Sequence, residues 1–382
     1  MEVIIPRCAG LDVHKRTVVA CIRRLEPDGQ INQEVRTFGT MTADLLSLAD
    51  WLVAYGVTQI AMESTGVYWK PVYNLLEARL TILVVNAQHI KQVPGRKTDV
   101  KDCQWIAQLL QHGLLRASFV PPRPIRQLRD LTRQRTQLIR HRATRANRLQ
   151  KVLEDANIKL ASVATDILGV SGRAMIRALI AGEQDPARLA DLARRRLRAK
   201  SDLLVLALTG QVTDHHRFQL RSLMEQVERL DGSIEQFDGR ILEATTPFEA
   251  ELARLMTIPG LSRPAAEVIL AEIGADMTVF PTAGHLCSWA GMSPGNHQSA
   301  GKRYSGRTTK GSPWLRSVLI QAAWSASHTK KTRLSATSHK LARRIGKKRA
   351  VVAVGRKILK LVYELLKGRT DYQERLGSDQ AA

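Results

Sequence analysis

Apolar residues follow two rhythms along the chain, first a two-residue alternation and later a helical repeat. Val3–Leu11 and Thr17–Arg23 read as two short strands, with Asp12-Val13-His14-Lys15 near their junction. A third strand, Gln30–Phe38, follows the turn signal Pro27-Asp28-Gly29. Leu45, Leu46, Leu48, Ala49, Leu52 and Val53 then recur at helical spacing. Val57–Met62 is a short apolar run ending in Glu63, and Thr81–Val85 is another, with a helix of Val72, Leu75 and Leu76 periodicity between them. Strands that pass into alternating helices and strands predict an α/β sheet domain of about 120 residues.

That element order, three strands and then helix, strand, helix, strand, helix, suits a ribonuclease-H-like fold for residues 1–120. Pro121-Pro122-Arg123-Pro124 closes the domain and opens a different kind of sequence. Ile125 to about Leu160 is a long helical pattern with Leu128, Leu131, Leu138, Leu149 and Val152 on one side. Nine arginines lie between Arg123 and Arg148, opposed only by Asp130. Residues 173–245 continue as mostly helical sequence, with the basic cluster Arg194-Arg195-Arg196-Leu197-Arg198. The stripe Leu220, Leu223, Val227, Leu230, Ile234, Phe237, Ile241 fits packing within one chain and an oligomer seam equally well. Residues 121–247 are therefore expected to form a coiled-coil-like helical linker. A mainly helical domain spans 248–382, its tail from Leu341 reading as a basic helix.

Charge sharpens this picture. The 382 residues carry 58 Lys and Arg against 35 Asp and Glu, a net charge of +23, which points to a polyanionic partner. From Met277 to Tyr363 there is no carboxylate, yet 17 Lys and Arg. A solvated surface mixes both signs, so this stretch is expected to lie against phosphates. The four cysteines, Cys8, Cys21, Cys103 and Cys287, lack metal-site spacing and read as buried apolar residues in a reducing compartment. No signal-peptide pattern or membrane-length apolar run occurs, so a cytoplasmic protein without a membrane partner is expected.

Four carboxylates are candidates for a metal site. Asp12 follows a strand, Glu63 ends another, and Asp99 and Asp102 stand i,i+3 at the start of a helix, on one face. Each alone is an ordinary cap or dipole partner. Together, on adjacent strands and a helix docked on the sheet, they suit a hard divalent ion, Mg²⁺ with Mn²⁺ as the alternative, of the kind that supports phosphoryl transfer. Without a cation, four acids at one place repel.

The chain from Gly291 to Gly311 holds glycines at 291, 295, 301, 306 and 311 and shows neither a helical nor a strand period. It is expected to be a functional loop. Lys302, Arg303, Arg307, Lys310 and Arg316 would contact phosphates there. Ser293, Ser299, Ser305 and Ser312 are all candidate nucleophiles, and composition does not choose among them. The loop has no acid of its own, so a working serine would need the Asp12/Glu63/Asp99/Asp102 cluster from another domain or subunit. Upstream, Met256 to Gly274 is similar to a helix-hairpin-helix whose Pro259-Gly260 turn would face a backbone phosphate, with Ser262 replacing the usual second glycine.

These motifs resemble, in order and spacing, the DEDD-type transposases of bacterial insertion sequences, the insertion-sequence one-ten family that includes Piv-like invertases. Gly10-Leu11-Asp12-Val13-His14-Lys15, Met62-Glu63-Ser64-Thr65-Gly66, Val85-Asn86 and Arg96-Lys97-Thr98-Asp99-Val100-Lys101-Asp102 carry the first half of the resemblance. Ile258-Pro259-Gly260, Ala290-Gly291-Met292-Ser293-Pro294, Ser299-Ala300-Gly301-Lys302-Arg303 and Lys310-Gly311-Ser312-Pro313-Trp314-Leu315-Arg316 carry the second. The resemblance implies a RuvC-like or ribonuclease-H-like first domain, a helical linker and a transposase domain. It implies metal binding by Asp12, Glu63, Asp99 and Asp102, and Ser299 as the nucleophile forming a phosphoserine intermediate. It further implies donor and target double-stranded DNA, a structured noncoding bridge RNA, and a homo-oligomer, a dimer or tetramer. Two departures are a longer stretch before Ile258 and Cys103 where a smaller residue is expected. The alternative activity is a RuvC-like nuclease or junction resolvase in which water attacks and Ser299 only binds phosphate; a nucleic-acid-binding protein with a retired acidic site is the non-enzymatic alternative.

Overall fold

The computed structural model describes residues 2–64, 66–86, 102–295, 297–299 and 302–374, the side chains of 297–299 and 303–305 excepted. Two compact units result, Met1–Val120 and Pro121–Ala382. The second holds both the 121–247 and the 248–382 stretches.

In the first unit, β1 (Arg7–Val13), β2 (Thr17–Leu25) and β3 (Ile31–Gly39) form an antiparallel meander. Helix α1 (Thr42–Ala54) then carries the chain to β4 (Gln59–Glu63), and α2 (Trp69–Leu76) carries it to β5 (Thr81–Val85). Parallel neighbours need such crossovers. The sheet order is β3-β2-β1-β4-β5, with β4 parallel to β1 and β5 parallel to β4. The first strand begins at Arg7 rather than Val3, because the amides of Ile4 and Ile5 instead donate to the carbonyl of Gln111.

Both faces of the sheet are covered. Ala9, Leu11, Val13, Ile60 and Met62 pack with Leu45, Leu48, Leu52, Val72 and Leu76 of α1 and α2. Cys8, Ala61 and Val85, on the opposite face, pack with Ile106, Leu109 and Leu110 of α3 (Asp102–Gln111). Alternation along β1 and β4 therefore assigns even-numbered β1 residues and odd-numbered β4 residues to the α3 face.

The second unit starts with α4 (Arg123–Asp155), which ends before the expected Leu160 because Asn157 takes a positive φ of 57°. Short helices α5 (Leu160–Val163), α6 (Val170–Ala181), α7 (Pro186–Asp191) and α8 (Ser201–Leu208) lead to α9 (Asp214–Thr245). Arg135 pairs with Asp238 and Arg142 with Asp231, partners that fall along one helix as they rise along the other, so α4 and α9 are antiparallel. Leu220 and Val227 of the apolar stripe, with Met224 beside them, join a core with Leu149, Leu153, Met175 and Leu204. Packing within the chain accounts for that end of the stripe.

The remainder comprises α10 (Glu249–Met256), α11 (Arg263–Ile273), α12 (Ala283–Trp289), strands β6 (His297–Ser299) and β7 (Lys302–Ser305), α13 (Pro313–His328), α14 (Arg333–Ile345) and α15 (Lys347–Gly368). The basic tail is thus two helices, divided at Gly346, where φ is +82°. All four cysteines are free and buried, and burial pushes the Cys8 and Cys21 thiols up to about 12. Among the described residues no helix is long and apolar enough to cross a membrane.

Candidate functional site

The acids of the first unit are gathered by strand register. Leu11 of β1 stands beside Met62 of β4 in a parallel pair, so Asp12 and Glu63 are the next residues on adjacent strands. Both are on the α3 face, being two residues beyond Gly10 and Ala61. Asp12 lies within β1, one residue before its end, rather than after the strand as the sequence suggested.

Helix α3 is brought to the same edge by a missing side chain. A Cβ on Gly10 would lie 2.2 Å from the Cys103 carbonyl oxygen and 2.4 Å from the Ala107 nitrogen, so only glycine lets the helix backbone settle there. Earlier on β1, the Cys8 thiol donates to the Ala107 carbonyl at 3.5 Å. The helix therefore runs opposite to β1, and its first residue, Asp102, falls toward the strand end that carries Asp12. Asp99 lies outside the described residues. His14 Nε2 is 3.0 Å from Asp12 Oδ2, with the Asp12 side chain 25% exposed and within reach of solvent.

The donor set fits a hard cation, since it consists of carboxylates at one sheet edge. Among the described residues, no three His, Cys, Asp or Glu side chains already form a group that would hold a metal. The geometry brings Asp12, Glu63 and Asp102 to one end of one face.

In the second unit, Ser299 does not lie in a structureless loop. It is the last residue of β6 and stands opposite Lys302, the first residue of β7, in a two-stranded antiparallel hairpin with an irregular register at His297/Gln298. Bare backbone pins the hairpin's roots. A Cβ on Gly311 would lie 2.3 Å from the Ala290 carbonyl, and one on Gly291 would lie 2.7 Å from the Gly311 nitrogen. The Gly295 amide donates to the Arg307 carbonyl at 2.8 Å. Arg316 Nη1 donates to the Gly291 carbonyl at 3.1 Å and to Thr308 Oγ1 at 2.6 Å, so this arginine ties the roots together. Lys302, Arg307 and Lys310 are exposed, and the Arg303 side chain is outside the described set.

Ser312 has a structural role. Its hydroxyl accepts from the Leu315 amide as the N-cap of α13 and donates to Glu272 Oε2 at 2.9 Å. Glu272, 1% exposed, also takes both donors of Arg133 at 2.7 and 2.9 Å. Arg129 donates to the Ala271 and Glu272 carbonyls at 3.0 and 2.7 Å, closing the C-terminus of α11. Sequence reasoning missed this joint. Its signal was a carboxylate, Glu272, amid the apolar residues of a buried helix. Gly260 (φ +87°) sits in the expected turn between α10 and α11, where a Cβ would meet the Ala326 nitrogen of α13 at 2.5 Å. Close packing on α13 accounts for the glycine without a phosphate.

An α/β unit with carboxylates at one sheet edge, joined to a basic and mostly helical unit, is the build of a protein that acts on nucleic acid. A family model described as a transposase, of the DEDD type named for IS110, matches residues 9–158. A second, the transposase IS116/IS110/IS902 family, matches residues 252–339, and together they cover more than half of the chain. The pilin gene-inverting protein of Moraxella bovis is 26% identical over 173 residues, 44% of this chain and 52% of that protein. The putative transposase y4pF/y4sB of Sinorhizobium fredii is 26% identical over 293 residues, 75% of this chain and 66% of the relative. The 44.8 kDa protein of insertion element IS116 from Streptomyces clavuligerus is 28% identical over 250 residues, 56% of this chain and 60% of the relative. The match thus spans about half the length of the pilin gene-inverting protein. The chain belongs to the IS116/IS110/IS902 transposase family. Its mixed α/β sheet and mostly helical remainder are consistent with a ribonuclease-H-like DEDD transposase.

Proposed function

We propose that this protein is a DNA transposase that cuts and rejoins DNA strands through Ser299, with Asp12, Glu63, Asp99 and Asp102 holding Mg²⁺. The observation that carries this reading is the convergence of Asp12, Glu63 and the start of α3 on one face of one sheet edge. In the proposed reaction the Ser299 oxygen attacks a backbone phosphorus, one P–O bond breaks, and the departing hydroxyl leaves with a proton. The phosphoserine ester conserves the bond for rejoining to a second strand. A bound divalent ion would supply charge neutralisation at the phosphate oxygens. Lys302 and Arg303, beside Ser299 in the hairpin, would orient the phosphate. The acid edge and the hairpin would meet at one scissile phosphate, within a protomer or between two protomers of a dimer or tetramer. A structured noncoding RNA would pair donor and target sites. The 277–363 stretch, without a carboxylate, supports a polynucleotide partner of either kind.

Denaturing capture of protein bound to DNA tests the proposal. The full-length chain is expected to form a covalent DNA adduct that disappears in Ser299→Ala. Cleavage at the original rate by that variant would assign the attack to water and overturn the serine. Asp102→Asn is expected to lower strand cutting by more than about a hundredfold while DNA binding persists, a larger loss than removal of an outer-shell metal partner. Full activity in that variant would remove Asp102 from the metal site.

A further inference from the structure

At the roots of the Ser299 hairpin a cavity of about 910 Å³ opens between the loop, the start of α13 and the first turns of α15. Pro294, Gly306, Arg307 and Thr308 border it from the loop. Lys348, Arg349 and Arg356 line it from α15, spaced so that one helix face presents all three together with Val352 and Ala353. Among the described residues, Arg316 completes a lining of five cations that includes no Asp or Glu. Gly355 draws α15 in, because a Cβ there would already press on the Leu319 carbonyl and the Met292 methyl at 3.1 Å.

Like charges gathered around one cavity repel. Among the described residues the buried Arg356 Nε has no hydrogen-bond partner, a donor whose desolvation an arriving acceptor would repay. Guanidinium and ammonium donors over an apolar floor suit a ligand with anionic oxygens and a less polar sugar edge. The occupant follows from continuity with the hairpin. Pro294 precedes Ser299 by five residues, at most about 17 Å of extended chain. Successive phosphates of one strand are separated by about 3.4 Å along the helix axis, so about five of them fit that span.

Resting on the reading of Ser299 above, we infer that this cavity grips the phosphodiester backbone of the cut DNA strand within about five nucleotides of the scissile bond. Lys348 and Arg349 are the exposed members that α15 contributes to the grip and the ones to test. Acidic replacements there sit in the first turn of α15, where the helix dipole favours them, so the fold should tolerate the change.

Full-length Ser299→Ala protein, purified with its bound RNA, would be compared with the same protein carrying Lys348→Glu and Arg349→Glu. The probe is a labelled duplex spanning an end of the element, used in equilibrium binding and phosphate-ethylation interference. At about 0.1 M salt the double change should weaken binding roughly ten- to a hundredfold and lower the salt slope by about two. Interference should vanish at the phosphates flanking the cut and persist elsewhere. An unchanged slope and interference map would overturn the inference, as would a loss of contacts confined to RNA. The serine reading is judged separately, from adduct formation by protein with Ser299 intact. No adduct together with lost interference beside the cut would reject the serine and retain the grip; an adduct together with an unchanged map would do the reverse.

Discussion

The Asp12 edge and the Ser299 hairpin are both held by glycine contacts, but what surrounds those contacts differs. Around Gly10 the support is apolar: Cys8, Ala61, Ile106, Leu109 and Leu110 seal α3 to the sheet, and the acids stand at the rim of that seal. Around Gly291 and Gly311 the support is polar, running from Arg316 through the Ser312 cap to Glu272 and Arg133. The first arrangement holds the backbone that carries the carboxylates in a rigid apolar frame. The second fixes the roots of a hairpin to a buried carboxylate and its arginine. Its support also reaches α4, so the arginine-rich helix and the hairpin share one joint.

Glu272→Leu should have the largest effect on this contrast. It removes a buried carboxylate and leaves Arg133 uncompensated, and Ser312 loses its acceptor. Breaking such a pair costs about 3–5 kcal/mol, and the lower end applies because Arg133 keeps 32% of its side chain in water. Denaturant unfolding gives the loss, and hydrogen exchange locates it. Exchange should accelerate in 123–140 and 290–316 and stay unchanged in β1, β4 and α3. Acceleration throughout the sheet would show that the supports are not separate.

Gly10→Ala is the converse and should be smaller in stability, though severe for function. The added methyl meets backbone atoms that cannot rotate away, an overpacking cost of about 1–3 kcal/mol. Helix α3 would be pushed off the edge, taking Asp102 with it. Faster exchange confined to 103–110 is expected, with DNA cutting lost and DNA binding retained. Undiminished cutting would mean that the close approach of α3 does not set the acid geometry.

The contrast also governs what could be read from the chain. The sheet was legible because each strand has five or more residues and each crossover helix shows apolar periodicity, and with it came the placement of Glu63 at a strand end and of Asp12 to within a residue or so of one. The hairpin was not legible, because strands of three and four residues with an irregular register have too few positions to show alternation. Glu272 was hidden for another reason: Arg133 lies 139 residues away in sequence, so no local pattern announces the pair. Gly346 was passed over because both flanking segments are basic and helical, and only its positive φ reveals the break.

Ser312→Ala gives the smallest and most discriminating change. The hydroxyl caps α13 and also donates to Glu272, so two supports of the hairpin roots are lost without any change of charge. Loss of the cap alone costs about 0.5–2 kcal/mol. The Glu272 carboxylate keeps Arg133, so the joint to α4 should survive, and the total should stay below that of Glu272→Leu. Exchange should therefore quicken at 312–316 and along the hairpin roots while 123–140 remains protected. The covalent DNA adduct should still form, at a reduced rate, because Ser299 is untouched. Complete loss of the adduct with an intact fold would instead make Ser312 the attacking group, and the roles of the two serines would have to be exchanged.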